Sequence, residues 1–256
     1  MKKKNWLLIL MLLGGFSLFS QSKYPVAERL VYTGYYNWGF IWMEAGQVEF
    51  SLAKSDKYPD AVKLEAIGYS SPKWDWIFTV RDTLISHYNS TTFLPYEFSR
   101  KAHEGNYHKT FDYVFNYQDS IVIGDVNRIG RYQRRDTVKL LPGTFDMLSV
   151  AWMARELDFD KYEKNDLIPI RILIDSKIYD LYVRYLGVSK TKIAGRKQEC
   201  YVFSPLLVEG DVFKGGEGMK VWVSKDDYRL PLMVEAKILV GSVKGILNWA
   251  DSKIEM

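Results

Sequence analysis

Two histidines, His103 and His108, flank the stretch EGNY. A two-residue reversal at Gly105 and Asn106 would set Glu104 opposite Tyr107 and bring the two imidazoles together on one strand face. Such a pair can supply part of a zinc or copper site, but it needs at least one more ligand. His87 is too distant in sequence to be assigned that place, so His103 and His108 are weak metal candidates and no metal or cofactor is expected. The single cysteine, Cys200, lies in the apolar stretch ECYVF without an adjacent base, and it reads as a small buried hydrophobe. It also excludes an internal disulfide. Asp226 and Asp227 are neighbours, so along a strand they would point to opposite sides and cannot act as a glycosidase pair. They read as a turn, with Arg229 available to Asp227. There is no G-x-S-x-G elbow, and KGGEG, which reads as a turn, neither follows a buried strand nor precedes a helix as a phosphate loop would. The expectation is a protein that is not an enzyme.

Aromatic residues carry the stronger signal. The chain of 256 residues holds 8 Trp, 18 Tyr and 13 Phe. From Tyr107 the odd positions Tyr107, Phe111, Tyr113, Phe115 and Tyr117 are aromatic, with His108, Thr110, Asp112 and Asn116 between them. That is the period of a half-buried strand, broken only by Lys109. An aromatic sheet face can grip a sugar ring or a lipid chain, and it can equally fill a large β core. Tyr107, Phe111, Tyr113, Phe115 and Trp222 are the ligand-binding candidates, and these two roles stay open for them.

The elements that must position these rings are strands. Alternating or apolar runs predict them at 30–36, 41–53, 61–69, 83–88, 94–101, 120–125, 168–174, 177–186, 198–203 and 220–223, with two more segments after Leu230. Gly, Asn and Asp in HEGNY, IAGRK and SKDDYR mark reversals between them, which implies hairpins and mostly antiparallel pairing. After Leu230, the even positions Leu232, Val234, Ala236, Ile238 and Val240 form one apolar face, with Pro231 at its start. The basic run RIGRYQRR reads as a strand edge protected by charge. One segment departs from the pattern. In LPGTFDMLSVAWMARELDFD, Thr144 can cap a helix that carries Asp146 in its first turn, with Met147, Leu148, Ala151, Trp152, Met153 and Leu157 at helical spacing. Asp146 itself also reads as a cap and Arg155 as a surface or packing residue, and PKWDWIF as a shorter helical turn. The fold class expected is mainly β: a curved antiparallel sheet or open, barrel-like meander with one packing helix spanning Asp146 to Leu157.

The opening MKKKNWLLILMLLGGFSLFSQS has a basic start, an apolar run from Trp6 to Leu13 and small residues near Ser17 and Ser20. It reads as a signal peptide, residues 1–20, removed before Gln21, because the apolar run is shorter than the roughly 20 residues a retained span needs. The formal charge of +4 includes the three leader lysines. The near-neutral remainder gives no electrostatic basis for nucleic acid. Residues 21–256 read as a single domain, since no Pro-, Gly- or Ser-rich linker interrupts them. An outer-membrane barrel is disfavoured by the end DSKIEM, which lacks a terminal aromatic residue, and by the helix between the strands.

Several stretches resemble one family: YNWGFIWMEAGQVEF, TTFLPYEFSR, FDMLSVAWMAR and the closing VWVSKDDYRLPLMVEAKILVGSVKG, with Trp222, Asp227, Arg229, Pro231, Gly241 and Ser242 the most specific part. They are similar to exported bacterial proteins grouped as domain of unknown function 3108, from about Glu28 to Trp249. The FSQ junction is also similar to leaders of secreted Bacteroidetes proteins. The resemblance implies a periplasmic or secreted, mostly β protein, and it implies no catalytic residue. The function expected is a non-enzymatic binding or envelope-maintenance protein that holds a lipid or glycan on a concave aromatic face. A protein–protein interaction module of the envelope is the alternative. An envelope hydrolase is less favoured still, because it would need carboxylates or histidines converging in a pocket.

Overall fold

The computed structural model describes residues 27–39, 41–76, 79–210 and 214–255; the expected leader lies outside them. The first half is a meander of β1 (Ala27–Trp38), β2 (Ile41–Lys54), β3 (Ala61–Ser70), β4 (Arg81–Asn89), β5 (Pro95–Glu104), β6 (Tyr107–Asn116), β7 (Ile121–Arg128) and β8 (Tyr132–Lys139). Next come β9 (Thr144–Phe145) and a short helix, α1 (Ser149–Met153). The second half runs through β10 (Leu167–Ile174), β11 (Lys177–Ile193), β12 (Arg196–Pro205), β13 (Leu207–Glu209), β14 (Lys214–Gly216), β15 (Met219–Ser224), β16 (Pro231–Lys237), β17 (Ser242–Leu247) and β18 (Lys253–Glu255). One sheet joins nearly all of them in the order β8-β7-β6-β5-β4-β3-β2-β1-β17-β16-β15-β12-β11-β10-β9, with β18 beside the start of β1 and β13–β14 a separate ribbon. The outermost strands, β8 and β9, do not pair, so the sheet is not closed into a barrel. Its one parallel pairing among the described residues is β9 with β10.

Strict alternation builds the inner face. Glu28, Leu30 and Tyr32 share one side of β1, with Leu52 opposite Glu28 and Phe50 opposite Leu30. The row continues through Leu64, Ser86, Phe98 and Tyr113 on successive strands. These residues enter one core with Leu173, Ile193, Cys200, Leu232 and Leu247 from the other arm, so the sheet bends around a shared interior. Fully buried leucines such as Leu30, Leu64, Leu232 and Leu247 each contribute about 2 kcal/mol by leaving water. Close approach also fixes a glycine. A Cβ on Gly46 would sit 2.2 Å from the Tyr69 carbonyl oxygen, at the point where β2 meets β3.

The expected helix over Asp146 to Leu157 is corrected. Only Ser149–Met153 is α-helical, followed by a 3-10 turn, Ala154–Glu156. Thr144 does not cap it: it lies in β9, and its hydroxyl donates to the Leu141 carbonyl at 2.7 Å. Asp146 acts instead, accepting from the amides of Leu148 (2.7 Å) and Ser149 (2.9 Å). Leu148 and Trp152 face the core while Met147 is exposed, so the helical spacing was real but spans too little chain for a longer helix. PKWDWIF contributes a 3-10 turn at Pro72–Trp74.

Three smaller expectations also change. The start of KGGEG is strand β14 rather than a turn. The apolar alternation after Leu230 stops when β16 ends at Lys237, which leaves Val240 at a solvent-facing turn. Arg229 extends to the carbonyls of Leu157 and Arg155 and over the Phe159 ring, so it fastens the turn to the segment after α1. The basic run is, as expected, the sheet's edge: Arg131, Arg134 and Arg135 are exposed in or beside β8.

Candidate functional site

The interior of the curl is occupied by protein. Trp152 of α1 packs at a tilt against Phe50, with ring centroids 5.3 Å apart, and Phe50 meets Tyr32 edge-on at 5.6 Å. Arg155, just beyond α1, pairs with Glu28 of β1, the two side chains being 2% and 0% exposed. Trp152 Nε1 donates to the same carboxylate at 2.8 Å, and Arg155 also donates to the Tyr228 carbonyl at 3.0 Å. A second buried polar cluster holds the start of the segment. Ser86 Oγ of β4 donates to Asp146 at 2.6 Å. Burial pushes the Asp146 carboxyl above the usual carboxylate range, against the pull of Ser86 and the Ser149 and Leu148 amides. These two clusters fasten residues 144–156 to β1 and β4 of the inner face. Sequence reasoning placed neither the Glu28–Arg155 pair nor the Asp146–Ser86 bond. The available signal was the position of Glu28, two residues before Leu30 and four before Tyr32, on the parity of the core.

The residues singled out from sequence divide sharply. Phe111, Tyr113 and Phe115 are buried on the inner face, with Phe98 and Tyr113 stacked at 6.3 Å, so these rings fill the core. Tyr107 is half-buried at the strand's start, with the Arg128 guanidinium 4.8 Å above its ring. Trp222 is half-buried against the core from β15. Lys109, which interrupts the aromatic row, is buried with its Nζ 4.1 Å from the centre of the Phe111 ring. The HEGNY hairpin has the expected register, with Glu104 opposite Tyr107 and His103 opposite His108. The two imidazole centroids are 4.0 Å apart, and among the described residues no group of three or more His, Cys, Asp or Glu is placed to hold a metal ion. Cys200 is buried, and burial raises its thiol pKa. Asp226 is used within its own turn, accepting from Ser224 Oγ (2.7 Å) and the amides of Tyr228 and Arg229 (3.0 Å each). His87 is buried against Ser55, 2.8 Å away, and burial lowers its pKa.

An open recess lies across the seam between β1 and β17. Thr33 and Tyr35 stand on the side of β1 opposite to Tyr32, beside Ile246 and Lys244 of β17. The chain after β17 folds back over the start of β1: the Asn248 amide donates to the Val31 carbonyl at 2.8 Å, and Ser252 Oγ accepts from the Val31 amide at 3.0 Å. The Asn248 side chain holds that loop through Ala250 and Asp251. The β11–β12 turn, with Ala194 and Arg196, supplies a further side. The resulting groove, about 550 Å³, is lined by Thr33, Tyr35, Arg196, Ile246, Asn248 and Trp249 among others. It combines aromatic surface, one cation and neutral polar groups, which suits a hydrated ring with apolar faces. A second recess of about 360 Å³ lies near Gly143, Ile170 and Arg171, and there Arg171 is held by Asp180 at 2.6 Å.

Fold and site together define a mainly β protein of the curled, unclosed-sheet kind, with a filled interior and its recesses outside. The chain belongs to the family described as "Protein of unknown function (DUF3108)", which it matches over residues 31–248. Among solved structures it is similar to a beta-barrel-like protein of domain of unknown function DUF1849 from Brucella abortus. That likeness has a TM-score of 0.60 at 11% identity and covers 91% of this chain and 99% of the other; it is a likeness of fold alone. No protein with a curated description matches the chain. Among the described residues, no helix is long and apolar enough to cross a membrane.

Proposed function

We propose that this is an exported, non-enzymatic binding protein of the cell envelope, and that it takes a glycan in the groove beside Trp249. The observation that carries the reading is the filled interior. Residues 144–156 and the rings of Phe98, Phe111, Tyr113 and Phe115 occupy the space a lipid chain would need inside the curl, so a ligand is better served by the external groove. Tyr35 and Trp249 offer ring faces there, with Arg196 as the cation. The non-enzymatic part is supported by how the reactive groups are used: Cys200 and Asp146 are buried, and Asp226 is committed to its turn. The alternative, an envelope interaction module built on strand addition, is less well served, since the free β8 edge carries Arg131, Arg134 and Arg135.

Native mass spectrometry of the protein recovered from an envelope extract, followed by titration with a panel of oligosaccharides, tests the reading. Trp249→Ala is expected to weaken glycan binding by roughly tenfold to a hundredfold, as the loss of an aromatic platform costs about 1–3 kcal/mol. Binding untouched by Trp249→Ala, or a bound acyl lipid in place of a glycan, would overturn it.

A further inference from the structure

The five most exposed large apolar side chains among the described residues are Trp76 (80%), Val240 (73%), Ile41 (67%), Ile129 (64%) and Leu239 (50%). All five lie in or beside hairpin turns at the same end of the sheet. The register fixes this. β1 runs up to Trp38 and β2 returns from Ile41; β3 ends at Ser70 and β4 begins at Arg81, beyond Trp76; β7 ends at Arg128 before Ile129; β16 ends at Lys237, before Leu239 and Val240, and β17 starts opposite Asn37. The turns at the opposite end are mainly polar, with Asp56 and Asp60, Ser90 and Thr91, Asp119, and Asp226 with Asp227; the rings they show, Tyr117 (39%) and Trp249 (40%), are less exposed than any of the five.

The apolar turns are also tied to one another. Tyr36 Oη donates to the Val240 carbonyl at 3.2 Å, and a Cβ on Gly241 would meet the Asn37 carbonyl oxygen at 2.4 Å. Trp74 Nε1 donates to the Glu44 carbonyl at 2.8 Å, and the Gly105 amide donates to the Thr79 carbonyl at 2.7 Å. The Ile129 amide donates to the His108 carbonyl at 3.1 Å. The rim is therefore a set of fixed points, and showing it to solvent requires no rearrangement. Each apolar point has a basic neighbour: Lys73 near Trp76, Arg131 near Ile129, Lys237 near Leu239, and Lys244, which pairs with Glu235 at 3.0 Å and whose Nζ lies 4.1 Å from the ring of Trp42 next to Ile41. Asp75, in the same turn as Trp76, is neutralised by Arg81 at 2.6 Å.

We propose that this rim docks the protein on an anionic lipid surface, with Trp76, Ile41, Leu239, Val240 and Ile129 entering the headgroup layer and the neighbouring lysines and arginine meeting the phosphates. Separate apolar points beside cations match a lipid interface, where Trp and Lys each have a preferred depth. A protein partner would be better served by one continuous patch. The inference is independent of the groove beside Trp249.

Co-sedimentation tests it, using protein freed of residues 1–20, whose apolar run would bind lipid by itself. The vesicles are phosphatidylethanolamine with phosphatidylglycerol in one arm and phosphatidylcholine alone in the other. Binding is expected on the anionic vesicles, falling as salt rises from roughly 0.1 to 0.5 M. Trp76→Ser is expected to weaken it roughly tenfold, and a combined Ile41→Ser and Val240→Ser variant at least as much. Val188→Ser, an exposed apolar residue within β11, should bind as the parent does. Circular dichroism and thermal melting confirm that each variant is folded. Absence of binding to anionic vesicles, rim variants that bind as tightly as the parent, or a rim-dependent dimer in ultracentrifugation without lipid binding would each overturn the proposal.

Discussion

Removing Arg155 while leaving Glu28 in place tests how the interior segment is held. The pair is inaccessible to water, with side-chain exposures of 2% and 0%, and Glu28 has one further donor in Trp152 Nε1 at 2.8 Å. In Arg155→Ala the carboxylate stays buried with that single neutral donor, and the Tyr228 carbonyl loses its 3.0 Å partner as well. Stranding one member of a buried ion pair costs about 3–5 kcal/mol. For a domain of this size each kcal/mol lowers Tm by about 2–4 °C, so the melt should fall by roughly 6–20 °C. The matching experiment removes both charges. Glu28→Leu with Arg155→Met keeps the volume apolar and leaves no buried charge; it strands the indole N–H, at about 1–3 kcal/mol, and removes the same donor from the Tyr228 carbonyl as Arg155→Ala does. The double variant should therefore be no less stable than Arg155→Ala, although it changes more atoms. Urea unfolding of the parent, both single variants and the double variant measures the coupling directly. An Arg155→Ala variant within about 1 kcal/mol of the parent, or a double variant whose loss equals the sum of the singles, would refute the reasoning.

Asp146 titrates in the opposite sense from a surface salt-bridge carboxylate. Burial raises its native pKa above 3.8, so the native state binds its proton more tightly than the unfolded chain. The stability linked to this proton is full below pH 3.8 and is lost as pH rises through the raised value. Measured as urea midpoints across acid to neutral pH, the parent should lose ground against Asp146→Asn over that window, and a pH-independent difference would count against the assignment. Gly46→Ala should cost at least roughly 1–3 kcal/mol, because its Cβ would meet the Tyr69 carbonyl oxygen at 2.2 Å and the neighbouring backbone would have to move; an unchanged melt would show that β2 and β3 can separate there. Trp249→Ala for glycan binding and Trp76→Ser for lipid binding complete the set, and neither should lower Tm by more than a few degrees, since both rings are substantially exposed.

Much of the architecture was legible because it depends on a local rule. The run from Tyr107 alternates for ten residues and is β6 to within a residue, and HEGNY closes the hairpin in the expected register. The charged stretch around Arg131 to Arg135 marks an edge for the reason that edges need charge. Local rules fail where distant chain decides the outcome. Helical spacing from Met147 to Leu157 was visible, yet the need to point Trp152 at Phe50 and Arg155 at Glu28 leaves only Ser149–Met153 in α geometry. Sequence proximity makes Arg229 available to Asp227, whereas its guanidinium donates to carbonyls more than seventy positions earlier. Aromatic alternation could not say whether Phe111, Tyr113 and Phe115 line a space or fill it, because that depends on where residues 144–156 come to rest. The groove beside Trp249 has no sequence signature: its sides come from β1, the β11–β12 turn and the loop after β17.

The seam between β1 and β17 joins Tyr32 to Leu247 and Asn37 to Ser242, so the first described strand finds its second neighbour only when nearly the whole chain is present. Until then β1 is a bare edge, rich in β-forming residues, on an otherwise completed eight-strand meander. Such an edge recruits whatever strand comes first, including its counterpart in another copy. Pairing across so long a stretch of chain is also slow, because the loop it closes is large. The hazard in making this protein is thus concentrated in the interval between the appearance of Ala27–Trp38 and the arrival of Ser242–Leu247, and whatever accompanies the chain during that interval has one strand above all to guard.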